Sequence, residues 1–148
     1  MTEQCEECGA RIPGGRDGCQ QLWDAMRYDG RVAHAAAFDA YCMQHPARYC
    51  ASAKSYAAHL TRFCCGIERD RDPRVYRAIQ KWLDGQRALD KPPVLGDRGA
   101  VTISDVSAAE TDVLRAEAVE RWIDAVWQAY ATQHETARRW IQQALASR

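Results

Sequence analysis

Residues 107–148 read SAAETDVLRAEAVERWIDAVWQAYATQHETARRWIQQALASR, a stretch with neither glycine nor proline. A segment that long with no backbone breaker is a helix former. Ile123, Val126, Trp127, Tyr130, His134, Ile141 and Leu145 recur at helical spacing and keep one apolar face. Ser107-x-x-Glu110 and Thr132-x-x-Glu135 both fit a capping box. The second box divides the segment into two helices, at about 111–131 and about 133–146.

Upstream the same period recurs. Cys19, Leu22, Trp23 and Met26 lie on one face of a helix that Cys19 opens and that ends at the turn Tyr28-Asp29-Gly30. A second helix, about 31–45, carries His34, Phe38, Tyr41 and His45 inward and stops at Pro46. A third, about 52–67, turns Tyr56, His59, Leu60, Phe63 and Ile67 to the core. Asp72-Pro73 starts a fourth, with Gly85 as its stop. Residues 1–18 read as a loop and 86–106 as a long connection, in which Val101-Thr102-Ile103 is a short extended piece. The expectation is a single all-α domain over 1–148: a bundle of about five to six helices with an N-terminal metal-binding knuckle.

Composition narrows the function classes. Twenty basic and twenty acidic residues give zero net charge. A nucleic-acid partner is therefore disfavoured, because phosphate neutralisation needs a basic excess or stripe. No apolar run approaches the roughly 20 residues that span a bilayer. The opening Met-Thr-Glu-Gln-Cys-Glu-Glu has no signal-peptide pattern, so a cytoplasmic location is expected. In that reducing setting, seven cysteines point to metal binding or catalysis, not to disulfides. No phosphate-binding glycine loop, Gly-x-Ser-x-Gly elbow or His-Glu-x-x-His helix is present. The tryptophans at 82, 122, 127 and 140 are expected in the core.

Chemistry concentrates in cysteines and histidines. Cys5-x2-Cys8-Gly9-Ala10 has the spacing by which a tight knuckle offers two thiolates to one zinc ion. A redox Cys-x2-Cys pair would sit in a βαβ setting, which this pattern lacks. Cys19 is a third ligand. For the fourth, antiparallel packing of the first two helices brings His45 within reach. His34, about 16 Å away along the helix axis, is less favoured, and Cys42 competes. Zinc on Cys5, Cys8, Cys19 and His45 is the expected metal set. A second group is also expected: His34 and His59 at similar heights in the bundle, with His134 from the last helix. Three imidazoles with an open position would suit a second, catalytic metal, with Tyr41 nearby. Asp24 and Asp39 are candidates to orient an imidazole. Cys42, Cys50, Cys64 and Cys65 read as small buried residues. The adjacent pair Cys64-Cys65 cannot both point inward, which would leave one reactive.

These marks carry a resemblance. Cys5-x2-Cys8-Gly-Ala, Cys19, His34, Tyr41-Cys-Met-Gln-His45-Pro46, His59-Leu60, Val126-Trp127-x-x-Tyr130, His134 and Trp140 resemble an uncharacterised bacterial family, a domain of unknown function of about this length. The resemblance implies metal-binding use of the cysteine and histidine positions and supplies no substrate. At the level of fold alone, the chain is similar to four-helix DinB-like metalloenzymes with a three-histidine site, some of which transfer low-molecular-weight thiols. The Cys5/Cys8 knuckle departs from their pattern.

Three function classes follow. The first is a zinc-binding cytoplasmic helical protein whose thiolates clamp the N-terminal loop to the bundle. The second is a metal-dependent enzyme using His34, His59 and His134 for hydrolytic or thiol-directed chemistry on a small molecule. The third is a module for protein partners.

Overall fold

The computed structural model describes residues 2–85 and 88–147. A two-stranded antiparallel hairpin, β1 (Glu3–Gln4) and β2 (Arg11–Ile12), precedes eight α-helices among the described residues: α1 (Gly15–Tyr28), α2 (Ala35–Gln44), α3 (Pro46–Tyr49), α4 (Ala53–Glu68), α5 (Pro73–Gly85), α6 (Ile103–Ser107), α7 (Asp112–Ala129) and α8 (His134–Ala146). Six of these have ten residues or more; α3 and α6 are single turns. Among the described residues the regular structure is all-helical apart from the hairpin.

Helix α4 is central. It packs on α2, α5 and α8, while α2 also meets α7, and α6 joins α7 to α1. This explains Cys64 and Cys65, both of which are buried, against the expectation that the two could not both point inward. A helix flanked on several sides can bury two adjacent positions at once. Cys64 bonds Glu68, which Arg138 of α8 pairs with, and Cys65 lies by Asp72 and Tyr76 at the α5 end. Burial pushes the Cys64 thiol up to about 12 and raises that of Cys65. The tryptophans at 82, 122, 127 and 140 are all buried.

Several local readings give way to other caps. Residues 1–18 are not all loop: Gly14 takes a left-handed φ of 87° and α1 starts at Gly15, a full turn before Cys19. Thr102 is extended, yet it has no strand partner; its side chain and that of Asp105 form a capping box that opens α6. Thr111 caps α7 in place of Ser107, accepting from the Leu114 N–H. Gln133 precedes α8 with no side-chain cap, after a 3₁₀ turn over Ala131–Gln133, so the Thr132 box does not form. Within the connection expected over 86–106, residues 88–102 are irregular and 103–106 already belong to α6; residues 86 and 87 lie outside the described residues.

Gly18 fixes how α1 meets the hairpin. A Cβ there would stand 1.8 Å from the Pro13 carbonyl oxygen, which is backbone and cannot swing aside. Gly18→Ala is expected to cost about 1–3 kcal/mol, the usual range for overpacking. Urea unfolding checks it, and a loss under about 0.5 kcal/mol, the ordinary surface range, would contradict the close approach.

The irregular residues 88–102 are held by buried polar groups. Gln44, 1% exposed, donates to the carbonyls of Arg98 (3.1 Å) and Val101 (2.8 Å), and its Oε1 accepts from the Trp122 indole N–H (2.8 Å). Gln133 donates to the Pro93 carbonyl (3.0 Å) and accepts from the Tyr56 hydroxyl (2.6 Å). Tyr130 donates to the Met43 carbonyl. Buried backbone oxygens are thereby satisfied without a sheet or helix.

Candidate metal centre

The hairpin turn builds half of the site. Cys5 donates its N–H to the Ala10 carbonyl (2.8 Å), and Gly9 returns its own to the Cys5 carbonyl (2.9 Å). Gly9 holds φ at 82°, a region L residues with a side chain rarely adopt, so the knuckle closes over a glycine. Backbone N–H groups of Cys8 and Glu7 aim at the Cys5 sulfur. Such donors favour a thiolate.

The other half comes from two helices. Cys19 is on the buried face of α1 in its second turn. His45 follows α2, where φ −127° and ψ 57° break the helix before Pro46 starts α3. Its Nδ1 and the Tyr41 carbonyl are 2.7 Å apart. With Nδ1 donating there, the lone pair of Nε2 is directed at the cysteines. The imidazole also stacks on the Tyr41 ring (3.9 Å between centroids), which stacks on Trp23 (4.7 Å). That aromatic column fixes the imidazole's plane.

The four donor atoms of Cys5, Cys8, Cys19 and His45 lie within 4.8 Å of one another. Cys8 Sγ is 3.8 Å from Cys19 Sγ, and His45 Nε2 is 3.4 Å from Cys19 Sγ and 3.7 Å from Cys5 Sγ. A zinc tetrahedron with the usual bond lengths has edges of about 3.8 Å between sulfurs and about 3.6 Å between sulfur and nitrogen. These three separations lie close to those edges, and this Cys3His group could hold a metal ion. Cys5, Cys19 and His45 are buried, and Cys8 is half-buried. Without an ion, the hydrogen bond to Cys19 and then burial push the Cys8 thiol up to about 12; burial raises that of Cys5. Tyr41 places its hydroxyl 3.4 Å from Cys19 Sγ.

Neighbouring side chains fasten the hairpin to the helices. Glu7 accepts from the Ala47 N–H (2.7 Å) at the start of α3. Arg98 donates to the carbonyls of Glu7 and Leu95, and to that of Gln44 at 3.4 Å.

The three-histidine group does not assemble. Among the described residues, the Cys3His set is the one gathering of three or more histidine, cysteine or carboxylate ligands. His34 caps α2 through Nδ1 and pairs with Glu120 at 3.1 Å. His59 pairs with the buried Asp39 at 3.0 Å, which ties α4 to α2. His134 bonds the Trp127 carbonyl (2.7 Å) and stacks on the Trp127 ring. Each imidazole has its own structural partner, and all three are half-buried; His34 precedes α2 as its cap and does not lie on the inner face of that helix. Asp39 orients His59, not a member of the cysteine cluster; Asp24 accepts from Gln20 at the surface. Cys42 lies buried outside the cluster, its carbonyl accepting from His45 and Cys50.

Sequence reasoning missed Glu7, Gln44 and Arg98. The Gln44-His45-Pro46 segment held the only cue, a glutamine at a helix end beside a ligand histidine. No helix among the described residues is long and apolar enough to cross a membrane. A model described as a family of unknown function, DUF5946, matches residues 3–131. No curated protein and no solved structure matches the chain, so the DinB-like likeness gains no support.

Proposed function

We propose, for a chain that belongs to the DUF5946 family of unknown function, a zinc-binding helical protein in which the ion has a structural role. It joins the N-terminal hairpin to α1 and to the end of α2. The observation that carries this reading is the gathering of three sulfurs and one imidazole nitrogen within 4.8 Å of one another, with three of their separations close to the edges of a zinc tetrahedron. Four protein donors complete a tetrahedron and leave no position for a substrate, which is the pattern of structural zinc sites. Thiolates and imidazole favour zinc over magnesium, calcium or manganese, which prefer oxygen ligands. Seven unpaired cysteines fit a reducing compartment such as the cytosol.

The clamp solves a local problem. Residues 2–14 hold only two two-residue strands, far too little to order themselves in water. A metal at the knuckle supplies the missing stabilisation. The test is metal content by mass spectrometry on untagged protein purified without chelator, expected at about one zinc per chain. Protein that holds essentially no metal, even after incubation with zinc, sinks the reading.

A further inference from the structure

We infer that Cys8 is an oxidant-sensitive gate on this centre: peroxide attacks its sulfur, Cys19 resolves the product, and the metal leaves. The inference rests on the zinc reading above and assigns that centre a means of control.

Accessibility separates Cys8 from its partners. Cys5 and Cys19 are fully buried and His45 is 2% exposed, whereas Cys8 is half-buried. Cys5 and Cys8 both line a cleft of about 350 Å³ between the hairpin turn and residues Gly96–Gly99, but of the two only Cys8 keeps exposed surface. A small neutral oxidant in that cleft finds Cys8 as the accessible ligand, while Cys19 is fully buried and does not line the cleft. The remaining cysteines, 42, 50, 64 and 65, are buried away from the cleft. Access and thiolate character together select the oxidised cysteine, and a metal-bound sulfur is a thiolate.

The chemistry balances with hydrogen peroxide as the sole oxidant. The Cys8 thiolate attacks one peroxide oxygen; an S–O bond forms, the O–O bond breaks, and hydroxide leaves to become water on protonation. Cys8 is now a sulfenic acid, oxidised by two electrons. The Cys19 thiolate, 3.8 Å away, attacks that sulfur. An S–S bond of about 2.05 Å forms, the S–O bond breaks, and a second hydroxide leaves as water. In sum, two thiolates, one peroxide and two protons give one disulfide and two waters. Cys5 and His45 remain, and two donors do not make a four-coordinate zinc site.

The experiment uses the full chain loaded with zinc. Hydrogen peroxide is added, zinc release is followed with a chromogenic chelator, and disulfides are located by mass spectrometry of non-reduced peptides. The expected result is about one zinc released per chain with a Cys8–Cys19 linkage formed in step. Excess dithiol and fresh zinc then restore the starting protein. Zinc retained under peroxide that fully oxidises free glutathione would overturn the inference, as would release accompanied by a different disulfide or by none. Protein that takes up no zinc before peroxide is added fails at an earlier step, and it overturns the zinc reading along with the inference.

Discussion

Stripping zinc from the loaded protein is expected to lower its melting temperature by about 10–15 °C. Free zinc held at a thousandfold excess over its dissociation constant stabilises the folded state by about 4.1 kcal/mol. For a chain of this size each kcal/mol is worth about 2–4 °C or slightly more. The loss should be local at first: amides of residues 2–30 gain hydrogen exchange, while those of α4, surrounded by α2, α5 and α8, keep their protection. His45→Ala should make the melting temperature indifferent to zinc. Acidity provides an independent check. Cys5 and Cys8 both carry raised thiols without the ion, so near neutrality both are protonated and zinc must displace at least these two protons. Apparent zinc affinity therefore rises with pH, by at least about 100-fold per unit between pH 6 and 8. Calorimetric titration at several pH values measures it, and a flat profile would mean that these thiols are not the ligands.

Gln44→Ala should destabilise the protein by about 4 kcal/mol, the largest effect expected of a residue outside the centre. Gln44 is fully buried and satisfies three groups in chain segments far apart: the Trp122 indole N–H and the carbonyls of Arg98 and Val101. A buried group left unpaired costs about 1–3 kcal/mol. The cavity left by truncation adds to that sum. Gln44→Met separates the two contributions, since it keeps most of the volume and none of the hydrogen bonds. Chemical denaturation should place it between wild type and Gln44→Ala, still about 3 kcal/mol below wild type. A loss under about 1 kcal/mol for Gln44→Met would show that water readily replaces this side chain.

The helical architecture was legible because it is written in short-range periodicity. The glycine- and proline-free stretch from Ser107 became α7 and α8, and the stripe Tyr56, Leu60, Phe63 became the buried face of α4. The cysteine spacing was legible for the same reason, since a knuckle is a local object. His45 required one further step, the pairing of two helices across a turn. What stayed hidden depends on partners that sequence distance conceals. Arg98 sits among glycines and an aspartate and reads as a solvated loop residue, yet its guanidinium reaches three carbonyls. The histidines misled in the opposite direction. An inward-facing imidazole looks the same in sequence whether a metal or a carboxylate awaits it, and for His59 it is Asp39.

The tie between Arg98 and the Glu7 carbonyl spans 91 residues of chain. Closing a loop of that length before its interior is organised is entropically unfavourable with little return. Helices form from neighbours in sequence and need no such closure. The chain between these residues thus assembles first, and the clasp fastens late, around a structure already in place. Its two ends arrive as finished pieces: the hairpin turn that carries Glu7, and a strap emerging after α5. The hairpin can meet α1 early, as a neighbour in sequence, and what comes last on the way in, and goes first on the way out, is the strap's hold on it.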